Sequence, residues 1–354
     1  MPHLIFVQSN SFDPYFNLSV EKYLFDNAKE DEVVFFLWQN ERTVVIGRNQ
    51  NVYAECNLAM LNQLNGKVAR RLSGGGAVFH DLGNLNFTFI AKDDCYNIQK
   101  QLNVIVKALD QFGLPATISG RNDITITGHK FSGNAFRKVG DTNCHHGTIM
   151  INVDGLLLES VLSVDPEKLE SKGVSSVASR VANLYDLSSD ITVSSMIVAL
   201  KDACIHEYGK TEFDGNLTVG GKAMMLGTGS SVWGASGSML KMLQALSDNQ
   251  KFFSSEEWIY GKNPKFTWST KKRFDWGSIE ICLNFENNKV ALSKVYSDSL
   301  YPNFISALEE NLLGATFDIQ SFEKAINLAA QESNEDVSLC CREIKKLIYD
   351  TINK

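Results

Sequence analysis

The 354-residue chain has no apolar run approaching the roughly 18 residues of a membrane-spanning helix. Its longest candidates, such as Val33 to Trp38, have the length of buried strands, and no membrane association is expected. It has no arginine before Arg42 and no basic segment at its start. Neither a transit peptide nor a secretory signal is therefore expected, and the cytoplasm is the expected place of work. It lacks any C-x-x-C pair: Cys56, Cys95, Cys144, Cys204, Cys282, Cys340 and Cys341 are odd in number and scattered, which argues against a disulfide framework or a zinc site and suits a reducing compartment. An excess of basic charge is missing as well. At a formal net charge of −7 no nucleic-acid partner is expected, and the short cluster Lys271, Lys272 and Arg273 reads as a solvated turn.

What is there suits a large core and a smaller second one, with 44% hydrophobic residues. Asp13 before Pro14 signals a helix start, and Phe16, Val20, Tyr23 and Leu24 follow at helical spacing. Val33 to Trp38 and Thr43 to Ile46, joined by a polar turn around Asn40 and Glu41, predict a hairpin. Helices are predicted over about 54–64, 97–111 and 194–208, ended by Gly66, Gly113 and Gly209. Ala77 to Ala91 predicts two strands about a turn at Asp81 to Asn84, and further short strands are predicted at 116–119, 124–127, 131–135 and 148–153. Residues 215–238, rich in Gly and Ser with weak periodicity, predict loop or linker. Beyond them two strands flank a turn at Glu286 to Lys289, and three helical patterns follow. Hairpins interspersed with helices argue for α+β. The expected organisation is a large domain over 1–245, linker-like over about 211–245, and a smaller α+β domain over 246–354.

Chemistry concentrates in two places. Gly74, Gly75 and Gly76 are consecutive, which would weaken a helix or strand. A mobile loop or tight turn uses such a run, but so does a main chain that wraps an anion with its N–H groups. Arg70 and Arg71 upstream supply planar cations suited to phosphate, and His80 and Asp81 follow on the next strand, which favours the anion. The run is not a G-x-x-x-x-G-K-[ST] loop, nor a G-x-G-x-x-G that opens a helix. The second place is Gly120 to Arg137, where Lys130 sits in a candidate hairpin turning at Gly128 and His129. A point-charge ammonium there would let two anions approach against their repulsion. Farther on, His145 and His146 are adjacent on a strand and so point to opposite faces; one is expected in a pocket and the other at the surface, a poor arrangement for chelation.

These segments resemble the lipoate–protein ligase family. The likeness runs through DPYFNLSVEKYLF, TVVIGRNQN, RRLSGGGAVFHDLGN, GRNDI, GHKFSGNAFR, HHGTIMIN and SVASRVANL, and resumes at WIYGKNPKF. It implies a large mixed-sheet catalytic domain of the biotin/lipoate ligase type with a smaller α+β accessory domain. It implies a two-step reaction in which ATP with Mg2+ converts free lipoate to lipoyl-AMP and pyrophosphate, and a lysine of a lipoyl domain then takes the acyl group as an amide. The implied acceptors are E2 subunits of 2-oxoacid dehydrogenases and the glycine cleavage H protein; a monomer is expected. Carried over by motif, Lys130 is the implied catalytic residue, touching both the lipoyl carboxylate and the α-phosphate. Arg71, Gly76, Ala77, Val78, Phe79, Asn122, Asp123, Lys130 and His146 are the implied ATP or adenylate contacts, with Asp123 nearest the metal. Leu18, Val20, Trp38, Arg71, Ser73, His80, Lys130 and Gly133 are the implied lipoate contacts. Residues 217–240 depart from the family pattern.

Three other readings compete, the most distant being a biotin–protein ligase on a similar fold, whose glycine–arginine loop has a different pattern. A cofactor-free acyl transferase on the same fold would carry a cysteine just upstream of the lysine hairpin, where this chain has Arg121, Asn122 and Asp123, and Cys144 reads as a buried structural thiol. A module that binds lipoyl domains without modifying them is disfavoured by the intact Arg71, glycine run and Lys130.

Overall fold

Asp13 caps the first helix, Pro14–Asp26, by accepting from the amides of Tyr15 and Phe16 at 2.9 and 3.0 Å, with Pro14 in the first turn. This is seen in the computed structural model of the chain, which describes residues 1–120, 123–163, 181–210, 215–220, 223–226, 236–261, 266–333 and 335–352. In chain order the strands are β1 (His3–Ser9), β2 (Glu32–Trp38), β3 (Thr43–Ile46), β4 (Lys67–Arg70), β5 (Val78–His80), β6 (Asn84–Lys92), β7 (Thr117–Ser119), β8 (Asp123–Ile126), β9 (His129–Val139), β10 (Thr142–Met150), β11 (Gly215–Gly220), β12 (Ala223–Leu226), β13 (Trp268–Phe274), β14 (Gly277–Glu286) and β15 (Lys289–Ser297).

A nine-stranded sheet in the order β12-β11-β1-β2-β6-β10-β9-β8-β7 organises the N-terminal unit. Its pairing is mixed: β1 is parallel to β2 and β11, and the rest of the ladder is antiparallel. Neighbouring side chains on a strand face opposite ways, so Phe35 and Phe36 serve different cores. Phe35, Phe87 and Phe89 pack under helices Ile98–Asp110 and Val193–Glu207, through Leu102, Ile105 and Leu200. Phe36 and Trp38 pack under helix Pro14–Asp26 and helix Ser236–Ser254, through Leu18, Leu24 and Met242. A three-stranded sheet, β4-β3-β5, flanks this second face. The C-terminal unit sets the antiparallel sheet β13-β14-β15 against helices Pro302–Leu312, Ile319–Ser333 and Ser338–Ile352, around Ile281, Phe304, Phe322 and Ile344. The architecture is mixed α+β. Among the described residues no helix is long and apolar enough to cross a membrane.

Several local expectations change. Val33 to Trp38 and Thr43 to Ile46 are strands but not a hairpin, because β2 joins the large sheet and β3 the small one. The same happens at Ala77 to Ala91, where β5 pairs with β3 and β6 with β2 and β10. The helix predicted over 54–64 is two short ones, Val52–Glu55 and Leu58–Gln63, since Cys56 is extended and bridges Leu162. The loop or linker expected within 215–238 contains β11 and β12, which extend the large sheet by parallel pairing of β11 with β1, and helix Ser236–Ser254 crosses the expected boundary at 245. His145 is not at the surface. It is fully buried against Phe87 and Phe136, with its ring nitrogens 3.0 Å from Gln101 Oε1 and 2.8 Å from Asn134 Oδ1, because helices cover that face of β10.

A buried polar chain ties the first helix to the small sheet. Ser9 Oγ donates to Asn17 Oδ1 (2.6 Å), Asn17 Nδ2 to Asn40 Oδ1 (3.0 Å), and Asn40 Nδ2 to His80 Nδ1 (3.2 Å). The His80 proton therefore resides on Nε2. Burial, with Arg71 and His146 adding their charge, lowers this ring to about 3. An unfolded histidine protonates near pH 6.5, so the unfolded chain takes the proton first. Stability from His80 is complete above about pH 6.5 and is lost as the pH falls toward 3. Between about pH 6 and 4, urea unfolding should lose up to about 1.4 kcal/mol per pH unit on this account, and His80→Gln should show a decline shallower by that amount. Parallel declines in the two proteins would remove His80 as the cause.

Candidate functional site

The glycine run folds around a cation. Arg71 is buried, and its guanidinium donates to the carbonyls of Val45 (3.2 Å), Gly74 (2.6 Å) and Gly76 (2.8 Å) and to Ser73 Oγ (3.1 Å). Burial lowers it to about 10, against the pull of Glu21. Arg70 is used in the same way. It donates to the carbonyls of Gln50 (2.7 Å), Arg48 (2.9 Å) and Trp258 (2.9 Å), and Trp258 Nε1 returns a bond to its carbonyl (2.9 Å). The arginines expected to offer donors to phosphate thus spend them on main-chain oxygens. A buried guanidinium must be solvated, and carbonyls are the acceptors at hand. Arg70 staples helix Glu256–Tyr260 to the N-terminal unit; Arg71 gives the glycine run its shape.

The lysine hairpin owes its geometry to one extra residue. Thr127 and Gly128 carry φ of 50° and 84° and make the two-residue turn, one position earlier than expected. Thr125 then pairs with Lys130, but Ile124 pairs with Ser132 and Asp123 with Gly133. Phe131 is the bulged residue. Three residues apart on a regular strand, Lys130 and Gly133 would face opposite ways; the bulge puts them on one face. Lys130 Nζ lies over Gly133, where a Cβ would come within 2.6 Å of it, and reaches Asp123 Oδ1 at 2.7 Å.

Across the large sheet, Asp123, Gly133, Thr148, Asn86 and Trp38 form one row. Asp123 pairs with Gly133, the Gly133 amide donates to Thr148 Oγ1 (3.2 Å), and Asn86 pairs with both Thr148 and Trp38. Beside this row runs a chain of donors that ends on a carboxylate. Trp38 Nε1 donates to Thr88 Oγ1 (3.1 Å), and Thr88 Oγ1 to Glu21 Oε2 (2.8 Å). From the other side Arg71 Nε donates to Ser73 Oγ, which lies 2.6 Å from His146 Nε2, and His146 Nδ1 lies 2.8 Å from Glu21 Oε2. Burial pushes the Glu21 carboxyl up, but His146, the Thr88 bond and Arg137 outweigh it and hold the group below its ordinary value. Nothing in the sequence marked Glu21, whose neighbours have the spacing of an ordinary amphipathic helix.

One cavity of about 320 Å³ collects these parts. Leu18, Trp38, Arg71, Gly76, Ala77, Val78, Phe79, His80, Asp123, Lys130, Gly133 and His146 all line it. Val20 does not; it belongs to the core under the first helix. Ser73 is buried behind the wall, and Asn122 lies outside the described residues. The C-terminal unit closes one side with Arg273, Asp275, Trp276, Asp298 and Leu300, which sequence reasoning did not place there. The closure is direct: the Gly75 amide donates to Ser299 O (2.9 Å), and a Cβ on Gly74 would stand 2.3 Å from that oxygen. Among the described residues, Glu21, Cys144 and His146 are close enough to share an ion. Burial, with Glu21 adding to it, raises the Cys144 thiol well above its ordinary value, which disfavours it as a nucleophile.

Comparison with known proteins places both units in one family. The family model described as "Lipoyl protein ligase A/B catalytic domain" matches residues 13–205, and that described as "Bacterial lipoate protein ligase C-terminus" matches residues 263–341. Lipoate-protein ligase A of Blochmanniella floridana is 36% identical over 317 residues, 88% of this chain and 88% of the relative. The crystal structure of P. falciparum LipL1 in complex with lipoate matches with a TM-score of 0.80 at 28% identity, covering 98% of this chain and 99% of that one. A lipoate-protein ligase A bound with ATP shares the fold, with a TM-score of 0.59 at 21% identity over 73% of this chain and 98% of that one. With both of its units matched and 36% identity over 317 residues to one relative, the chain belongs to the lipoate-protein ligase A family.

Proposed function

We propose that the cavity activates free lipoate with ATP as lipoyl-AMP, then passes the lipoyl group to a lysine of a lipoyl domain, in an E2 subunit of a 2-oxoacid dehydrogenase or in the glycine cleavage H protein. The observation that carries this reading is the Lys130 ammonium, held over Gly133 at one end of a polar-to-apolar row that finishes at Trp38. Gly133 and Trp38 are three strand spacings apart, about 14 Å. That distance accommodates an extended acyl chain with its carboxylate at Lys130 and its dithiolane toward Leu18, Trp38 and His80. His80 Nε2 and Asn86 Nδ2 are buried donors without a partner among the described residues, and both side chains line the cavity. Such groups cost stability until a ligand meets them.

Lys130 lies where a carboxylate and an α-phosphate must be brought together, and a cation between two anions reduces the repulsion most where water is scarce. The backbone of Gly76 to Phe79 forms the neighbouring wall for the nucleotide. Mg2+ takes one or two carboxylates together with phosphate oxygens. Asp123 offers an oxygen ligand of that kind from the cavity wall, whereas two of the three donors in the Glu21, Cys144 and His146 group are sulfur and nitrogen, which suit Mg2+ poorly. When bound, the ion screens the triphosphate. Leu300 and Trp276 help exclude water, which protects a mixed anhydride from hydrolysis. Support from relatives comes from the lipoate-bound LipL1 structure and the ATP-bound ligase.

The test incubates the full chain with lipoate, ATP, Mg2+ and an apo lipoyl domain, following pyrophosphate release and acceptor mass. Acylation that requires an acyl-protein donor and no ATP would replace the ligase reading with a transferase, and no acylation by either route would replace it with a silent binding module. Lys130→Ala should lower lipoate-dependent pyrophosphate release by about 10³-fold while the melting temperature moves by only about 3 °C; undiminished release would take Lys130 out of the reaction. Gly133→Ala should fold, because its new methyl meets the end of a flexible side chain, yet it should displace the ammonium from Asp123. A drop in adenylation of about 10²-fold is expected for a displacement of that order, and wild-type turnover would show that the contact with Asp123 is dispensable.

A further inference from the structure

We propose that Arg273, from the C-terminal unit, holds the β- and γ-phosphates of ATP and then the departing pyrophosphate, so that this unit supplies a catalytic residue to the first half-reaction; the assignment rests on the adenylating reading above. In that step a lipoate carboxylate oxygen bonds to the α-phosphorus as the bond from that phosphorus to the bridging oxygen breaks. The bridging oxygen leaves with the electron pair on pyrophosphate. Charge therefore builds on the side of the α-phosphate away from the carboxylate, and a cation meeting it there stabilises the transition state.

Among the described residues, the cations that the N-terminal unit brings to or beside the cavity are otherwise engaged. Arg70 and Arg71 have their donors on main-chain carbonyls, and Lys130 is paired with Asp123 beside the carboxylate end. Arg273 lines the same cavity from the opposite unit. It is the penultimate residue of β13, one before the tight turn at which Phe274 pairs with Gly277, while its sequence neighbours Lys271 and Lys272 are exposed. Its Nη1 stands 3.5 Å from Asp298 Oδ2, too long for a strong hydrogen bond. Asp298 Oδ1 accepts from Ser278 N (2.7 Å) and Ser278 Oγ (3.0 Å), so the carboxylate is fixed from behind and orients the guanidinium without saturating it. The hairpin tip is tied to the last helix: Trp276 Nε1 donates to Glu343 Oε2 at 2.7 Å. The residue after Asp298 is Ser299, whose carbonyl accepts from Gly75, so the support of Arg273 and the glycine run are joined by a single hydrogen bond. A planar, permanently charged fork suits a diphosphate better than a lysine would.

The experiment compares the full-length wild type with Arg273→Ala and Arg273→Lys in two assays: lipoate-dependent exchange of labelled pyrophosphate into ATP, and transfer from chemically prepared lipoyl-AMP to an apo lipoyl domain. Exchange by Arg273→Ala should fall by about 10²-fold with a raised KM for ATP, and Arg273→Lys should recover part of the loss. Transfer should stay within about threefold of wild type, which also reports that the variant is folded. Wild-type exchange in Arg273→Ala, or equal losses in the two assays, would overturn the assignment. A wild type that transfers from lipoyl-AMP but exchanges no pyrophosphate would instead overturn the adenylating reading, and the role of Arg273 with it.

Discussion

The carboxylate of Glu21 is where the separate parts of the molecule meet. It is buried at the crossing of the first helix, the large sheet and the glycine run, and it receives donors from two directions. One branch orients the Trp38 indole through Thr88; the other orients Arg71 through His146 and Ser73. Trp38 and Thr88 donate in turn toward the carboxylate, and Arg71, Ser73 and His146 link to it from the other side, so both branches share one terminus. Taking the carboxylate away would strand Thr88 and His146, both buried, and a polar network left half satisfied is worse than none. The Trp38 side and the glycine-run side of the cavity are held to one another through this group.

The arginines show how a motif rich in charge can serve shape first. Sequence logic assigns guanidinium groups beside a glycine run to phosphate, and here both are solvated by carbonyl oxygens instead. That arrangement turns a flexible triplet of glycines into a fixed wall, and the wall is what the C-terminal unit recognises through Ser299. A further cation, Arg273, reaches the cavity from far along the chain, in a cluster that composition alone marks as surface charge.

Much of the local structure was legible because it is local. Asp13 with Pro14 and Asn97 announce their helices by chemistry confined to a few residues, and the hairpin around Gly128 was placed to within one position. Partnership between strands was not legible. Thr43 to Ile46 is a short β-branched run, but nothing in it says that it leaves the sheet its predecessor joined. β11 and β12 escaped notice because backbone pairing on an existing edge demands no side-chain pattern. His145 looked like a surface residue because two-sided burial of β10 depends on helices distant in sequence. Of the site, the glycine run and Lys130 stood out by residue type, while Glu21, Asn86 and Arg273 have their meaning only through neighbours that folding brings.

The bulge at Phe131 has a consequence for how this segment can vary over generations. Each residue between the Thr127–Gly128 turn and Gly133 sets the parity of those after it, so insertion or deletion of one position would rotate Lys130 or Gly133 to the far side of the sheet. Replacement of Ser132 by another small residue leaves that parity alone. Selection on this stretch should therefore police its length more strictly than its spelling.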